Sequence, residues 1–141
     1  MALRCVDASC MVAWLVPGAL SYDMMRAWDA FESGEDHFIG PPLLYIETVS
    51  VIRRMAYRRL ISSEEARESV RDFVALDILT PVPHGLYELA YDIAERYSIS
   101  KAYDACYLAL ASLCSCELLT MDERLYNMAA KDFPLLRFMP A

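Results

Sequence analysis

Short apolar runs take turns along this chain with longer stretches in which apolar residues recur every three or four positions. That pattern predicts strands alternating with helices. "LRCVD" (3–7) opens the chain as a short buried strand, and "ASCMVAWLV" (8–16) follows as a helix that stops at Pro17. "SYDMMRAWDAFES" predicts a second helix, ended by Gly34, whose Met24, Trp28 and Phe31 stripe faces a core or, as a second reading, a partner groove. The short strand "HFIG" leads into "PPLLYIETVSVIRRMAYRRL" (41–60), whose prolines suit a first helical turn. Ser62 and Glu65 have capping-box spacing ahead of the helix "EEARESVRDFVAL". "DILTPV" (77–82) is the next strand candidate, "LYELAYDIAERYS" the next helix, and Ser100 can cap a further helix beginning at Lys101. "CELLT" then reads as a strand, "DERLYNMAAK" as a short helix and "PLLRFM" as a final strand or extended tail. The strands are continuously apolar, so the sheet is covered on both faces. The expectation is an α/β fold around a mainly parallel sheet of four to five short strands flanked by helices.

Composition narrows the class. A length of 141 residues fits one domain spanning 1–141, and 57% hydrophobic against 23% charged residues excludes a disordered chain. The longest apolar run, 102–113, is broken by Asp104 and Ser112, and "MALRCVDAS" lacks a secretory pattern. A cytoplasmic protein with no membrane span is expected. The five cysteines are odd in number, sit in apolar segments and form no CxxC pair, so buried thiols are expected. His37 and His84 are isolated and suggest neither a triad nor a zinc site.

Charge changes the picture more. A net charge of −7 argues against a protein that coats nucleic acid. Yet Arg53, Arg54, Arg58 and Arg59 gather nearly a third of the 13 positive charges within seven positions. They read either as a solvated helix end that favours cations or as a local phosphate-contacting patch.

Four of the 20 acids stand nearly alone in apolar surroundings: Asp7 in "CVDAS", Glu47 in "LLYIETVSV", Asp104 in "AYDACY" and Asp122 in "LLTMDERL". Asp77 in "VALDIL" shares the neighbourhood but reads as a turn residue. Asp7 and Asp122 fall at the carboxyl ends of predicted strands, where crevices form in open parallel sheets. Asp104 lies in the first turn of a helix starting at the same edge, and Glu47 about two turns into its own. Carboxylates gathered in one cleft repel one another, and a divalent cation relieves that conflict. An all-oxygen site suits Mg2+ or Mn2+, which serve in phosphoryl-centred hydrolysis. The competing reading is four separately satisfied acids, with Asp7 and Asp122 as ordinary helix N-caps.

Taken in order, these segments resemble the PIN-domain proteins, specifically the VapC-like ribonuclease toxins, over essentially the whole chain. "VDASCMVAWLV" is similar to the family's opening strand with its Asp-x-Ser/Thr signature, here Asp7 and Ser9. "GPPLLYIETVSVIRR" resembles the segment carrying its glutamate, Glu47, and "SISKAYDACYLALA" its third block, with Asp104 as the acid. "LLTMDERL" resembles its Thr-x-Asp block through Thr120 and Asp122. The resemblance implies a three-layer PIN fold and a Mg2+- or Mn2+-dependent endoribonuclease attacking RNA phosphodiesters in line. It further implies a VapB-like antitoxin partner and a homodimer. Asp7, Glu47, Asp104 and Asp122 would form the metal-binding centre, with Ser9 and Thr120 orienting carboxylates or water. RNA contacts would fall to Arg53, Arg54, Arg58, Arg59 and Lys101. A receiver domain would want paired acids after its first strand, and a dehalogenase-type phosphatase would want Asp at position 9, where this chain has Ser9. A non-catalytic binding module, or a lone nuclease without antitoxin, is the alternative.

Overall fold

The structure is a computed structural model that describes residues 2–18 and 20–140. Among these residues four strands, β1 (Ala2–Val6), β2 (Asp36–Ile39), β3 (Glu117–Thr120) and β4 (Leu136–Phe138), form one sheet in the order β2-β1-β3-β4, with parallel pairing throughout. Among the described residues seven helices flank it: α1 (Ala8–Leu15), α2 (Tyr22–Glu32), α3 (Leu43–Tyr57), α4 (Ser63–Ala75), α5 (Leu86–Arg96), α6 (Tyr103–Cys114) and α7 (Glu123–Ala129). The chain leaves β1 for β2 on one side and returns to β3 and β4 on the other. The order therefore reverses between β1 and β3, and at such a reversal a crevice opens at the carboxyl ends of the strands.

The sheet is held by its covered faces. Cys5, Val6, Leu118 and Leu119 in β1 and β3 are almost completely buried. α6 packs on both strands, and α5 packs on α6. Ala105 to Ala111 are all buried, so α6 is apolar around its whole circumference, as a central helix must be. α1, α3 and α4 pack together as a second helical group. The Met24, Trp28, Phe31 stripe belongs to the core: Met24 is buried, and Phe31 stacks on Phe38 with ring centroids 4.4 Å apart.

Two local expectations fail. "DILTPV" forms no strand; it makes a single bridge, Leu79 to Ile39, beside β2. Asp77 is in the left-handed region (φ 52°), and Pro81 and Pro83 have no N–H to offer a ladder. Asp77 is the turn residue its neighbourhood suggests. Ser100 does not cap α6, which begins two residues after Lys101 with Ala102 at its N-cap and no side-chain bond there. Ser62 and Glu65, by contrast, form the full capping box at α4. No helix among the described residues is long and apolar enough to cross a membrane.

Candidate active site

Each of the four acids reaches the crevice from a different element. Asp7 follows the last residue of β1 and caps α1; its Oδ1 accepts the Cys10 N–H at 3.1 Å. Asp122 lies just beyond β3 and caps α7, its Oδ1 accepting the N–H groups of Arg124 and Leu125 at 3.0 and 3.2 Å. Glu47 projects from the second turn of α3, and Asp104 from the first turn of α6. Parallel strands deliver Asp7 and Asp122 to one edge, and all four acids line one open cleft of about 720 Å3.

Asp7 is the most constrained. It is 6% exposed, and two hydroxyls clamp it: Ser9 donates to Oδ1 and Thr120 to Oδ2, each at 2.5 Å. Ser9 Oγ accepts the Met121 N–H, and Thr120 Oγ1 accepts the Asp122 N–H, both at 3.0 Å. The same two hydroxyls therefore orient Asp7 and tie the end of β1 to the loop that carries Asp122. Glu47 is held differently: the buried Tyr107 hydroxyl donates to its Oε1 at 3.2 Å.

Burial is the largest influence on three of the acids and pushes each carboxyl above its ordinary range. For Asp7 the hydrogen bonds from Ser9, Thr120 and Cys10 oppose it, while the Asp122 charge adds to it. For Glu47 the Tyr107 bond opposes it, and Asp104 and Asp7 add repulsion. For Asp104 the Asp122 charge adds and the Arg124 guanidinium opposes. Each of these three thus feels another acid of the cleft. Among the described residues none of them is in an ion pair; the three salt bridges there join Arg4 to Asp36 and Glu117, and Arg137 to Glu117.

Hard, mutually repelling oxygen donors outside any ion pair have the chemistry a divalent cation requires. The donor set fits Mg2+ or Mn2+. Among the described residues, however, no three acids stand close enough together to ligate one ion directly. The arrangement suits an ion that keeps much of its water shell and takes one or two carboxylates.

The basic residues divide. Arg54 and Lys101 line the cleft. Arg53 lies in a separate groove, Arg58 caps the end of α3, and Arg59 follows with φ 60°. The structure thus brings two of the five expected RNA contacts to the acids. It adds two residues that the sequence reading left out. Tyr107 sits on the Asp104 face of α6, and a buried phenol needs a partner, which was the signal for it. Arg124 lies in the first turn of α7, where the helix dipole disfavours a cation. A cation in that place is the signal that something anionic faces it.

A PIN-domain family model matches residues 4–131. The chain belongs to the PIN-domain family. This PIN domain is 28% identical to a VapC ribonuclease of Mycobacterium bovis over 130 residues, which is 92% of this chain and 94% of that protein. It has the same identity and coverage with ribonuclease VapC9 of Mycobacterium tuberculosis. Its fold is similar to the crystal structure of PAE2754 from Pyrobaculum aerophilum, with a TM-score of 0.65, 18% identity, and coverage of 90% of this chain and 84% of that one. It is a VapC-like PIN protein, and its parallel, helix-flanked sheet is the PIN-like α/β architecture.

Proposed function

We propose that this PIN domain is an endoribonuclease that hydrolyses RNA phosphodiester bonds with Mg2+ or Mn2+. It acts as the toxin of a VapBC-type pair, as a homodimer, and a VapB-like antitoxin restrains it. The observation that carries the reading is the cleft: four carboxylates from four elements, none of them ion-paired among the described residues. The ribonuclease names of the mycobacterial relatives support RNA as the substrate.

In this reading the cation would sit among Asp7, Glu47, Asp104 and Asp122, taking one or two of these carboxylates directly and the others through its water shell, and would supply charge stabilisation at the phosphoryl centre and a more acidic water. The protein supplies the rest. Ser9 and Thr120 fix both oxygens of Asp7, so its orientation does not have to be found at each turnover. Tyr107 occupies Glu47 Oε1 and leaves Oε2 to take a proton from the attacking water. Arg54, Lys101 and Arg124 rim the cleft and receive the phosphates flanking the scissile bond. No Ser, Cys or His nucleophile is needed for this chemistry.

The deciding experiment compares wild type with Asp104→Asn in RNA cleavage, with and without Mg2+ or Mn2+. Wild type cleaves only with metal, and Asp104→Asn loses at least a hundredfold in rate. Equal cleavage by the variant, in preparations freed of host nuclease, sinks the assignment. Metal-independent binding of RNA without cleavage would favour the binding-module alternative.

A further inference from the structure

Among the described residues the acidic cleft is lined by one aromatic side chain, Tyr103, which opens α6 and precedes Asp104. Its side chain is 56% exposed. The hydroxyls of Tyr45, Tyr97 and Tyr107 each donate to a partner within the fold. Among the described residues Tyr103 makes no such bond, and its ring packs on no other ring. The Lys101 ammonium lies 5.9 Å from the ring centroid. Tyr22 and Tyr57 carry Arg26 and Arg53 in the same way, but neither of those rings lines the cleft. A tyrosine in the first turn contributes little to helix formation, and one this exposed contributes little to the core.

The charge of the cleft makes such a ring useful. Four carboxylates face three cations there, in a chain of net charge −7. That balance lacks the basic track that holds a nucleic acid through its phosphates alone. Stacking is the other general source of RNA affinity, and it is insensitive to the sign of the surrounding charge. The half-buried Ile99 and Met128 line the same cleft and give it apolar wall, which suits a base and not a phosphate. Position adds to this. Successive Cα atoms are about 3.8 Å apart, so Tyr103 and Asp104 fan out from almost one point. A base seated on Tyr103 therefore belongs to a nucleotide beside the phosphate that meets the acids.

We propose that Tyr103 is a base-stacking platform at the mouth of the cleft, on which an unpaired base flanking the scissile phosphate rests. The ring holds the base while Lys101, beside it, meets the phosphate of that nucleotide. Tyr103 is thus a positioning residue: it sets where the strand lies relative to Asp104 and takes no part in bond cleavage. Every base has a face to stack, so the contact admits all four and selects unpaired nucleotides over paired ones. The inference rests on RNA being the occupant of the cleft, as in the nuclease reading.

The test measures binding of a labelled, mixed-sequence single-stranded RNA of about eight nucleotides, a length within the range of single-strand binding sites. An abasic ribose-phosphate strand of the same length is titrated in parallel. The full chain carries Asp104→Asn, with Mg2+ present, so that the RNA stays intact during the titration. Adding Tyr103→Leu to this parent is expected to weaken RNA binding at least fivefold, the scale of one lost base stack. Affinity for the abasic strand should not change, which also shows that the variant is folded. Tyr103→Phe keeps the ring and should stay within about twofold of the parent. Because stacking displaces no counterions, the slope of affinity against salt should be the same for the parent and Tyr103→Leu. Equal RNA binding by the parent and Tyr103→Leu overturns the proposal. So does an equal loss on RNA and on the abasic strand, and so does an RNA-binding defect in Tyr103→Phe as large as that in Tyr103→Leu. Absence of RNA binding by the parent overturns it as well. Cleavage by the otherwise wild-type chain separates the two readings: Tyr103-dependent RNA binding without metal-dependent cleavage upholds the platform and sinks only the nuclease.

Discussion

Asp7 and Glu47 show two ways of fixing a carboxylate. Asp7 is buried and saturated: two hydroxyls and one backbone N–H hold it, and each hydroxyl is itself held by the loop after β3. Glu47 is half-buried and depends on one donor, the Tyr107 hydroxyl, which the surrounding core keeps in place. Tyr107→Phe removes that donor with almost no change in volume. Because Glu47 borders an open cleft, water can replace the lost bond, so the stability loss should be about 1 kcal/mol. RNA cleavage should fall further, about tenfold, because Glu47 Oε1 is no longer fixed. Thermal melting and cleavage rates on one preparation check both numbers; an unchanged rate would show that Glu47 needs no such support. At this scale the sequence was informative about which acids share one cleft and silent about what holds them. Asp7 and Asp122 really are N-caps, so capping and cleft residence are one geometry here, and the two readings could not be separated by sequence. Tyr107 was visible on the Asp104 face, but its partner lies 60 positions away on α3.

At Gly40, between β2 and α3, the chain leaves no room for a side chain. A Cβ on Gly40 would stand 2.5 Å from Leu44 Cδ2 and 3.1 Å from its Cβ. Leu44 is fully buried one turn before Glu47, so it has little freedom to yield. Gly40→Ala should cost about 1–3 kcal/mol, the usual range for overpacking. It should also displace the first turn of α3 and lower cleavage through Glu47. Chemical denaturation measures the first effect, and the second would be absent if Leu44 simply changed rotamer. Elements whose signal is local were the legible ones. Thus α4 announces itself through Ser62 and Glu65, and α6 through the apolar run between Asp104 and Ser112. "DILTPV" has the apolar run of a strand, but pairing is decided by a neighbour supplied by β2 and refused by two prolines. The separate groove that holds Arg53 was hidden for a similar reason. Arg53 was grouped with Arg54 by adjacency in sequence, whereas helical geometry sends them to different recesses.

The molecule as a whole carries its acidic cleft at a cost to stability, and pH exposes that cost. Burial and mutual repulsion raise the carboxyls of Asp7, Glu47 and Asp104 above their ordinary range. Between the ordinary carboxylate range and those raised values, the folded state holds more protons than the unfolded one. Stability therefore falls as pH rises through that window, and the penalty is fully present above it. Asp104→Asn removes one contributor. With divalent ions chelated, the variant should melt higher than wild type at neutral pH. The gap should close as pH drops below the ordinary carboxylate range, where Asp104 is protonated in both states. Mg2+ should reverse the ranking. A ligand that binds only the folded state at a hundred times its Kd adds about 2.7 kcal/mol, enough to raise Tm by several degrees in a chain of this size. Wild type should gain that shift and Asp104→Asn much less of it. Melting curves across pH, each with chelator and with Mg2+, contain the whole comparison. If Mg2+ moves wild type and variant equally, the ion is not held by these carboxylates. If the variant is no more stable than wild type in chelator at neutral pH, then Arg124 alone already balances the charge on Asp104, and the cleft carries no unrelieved repulsion for a cation to remove.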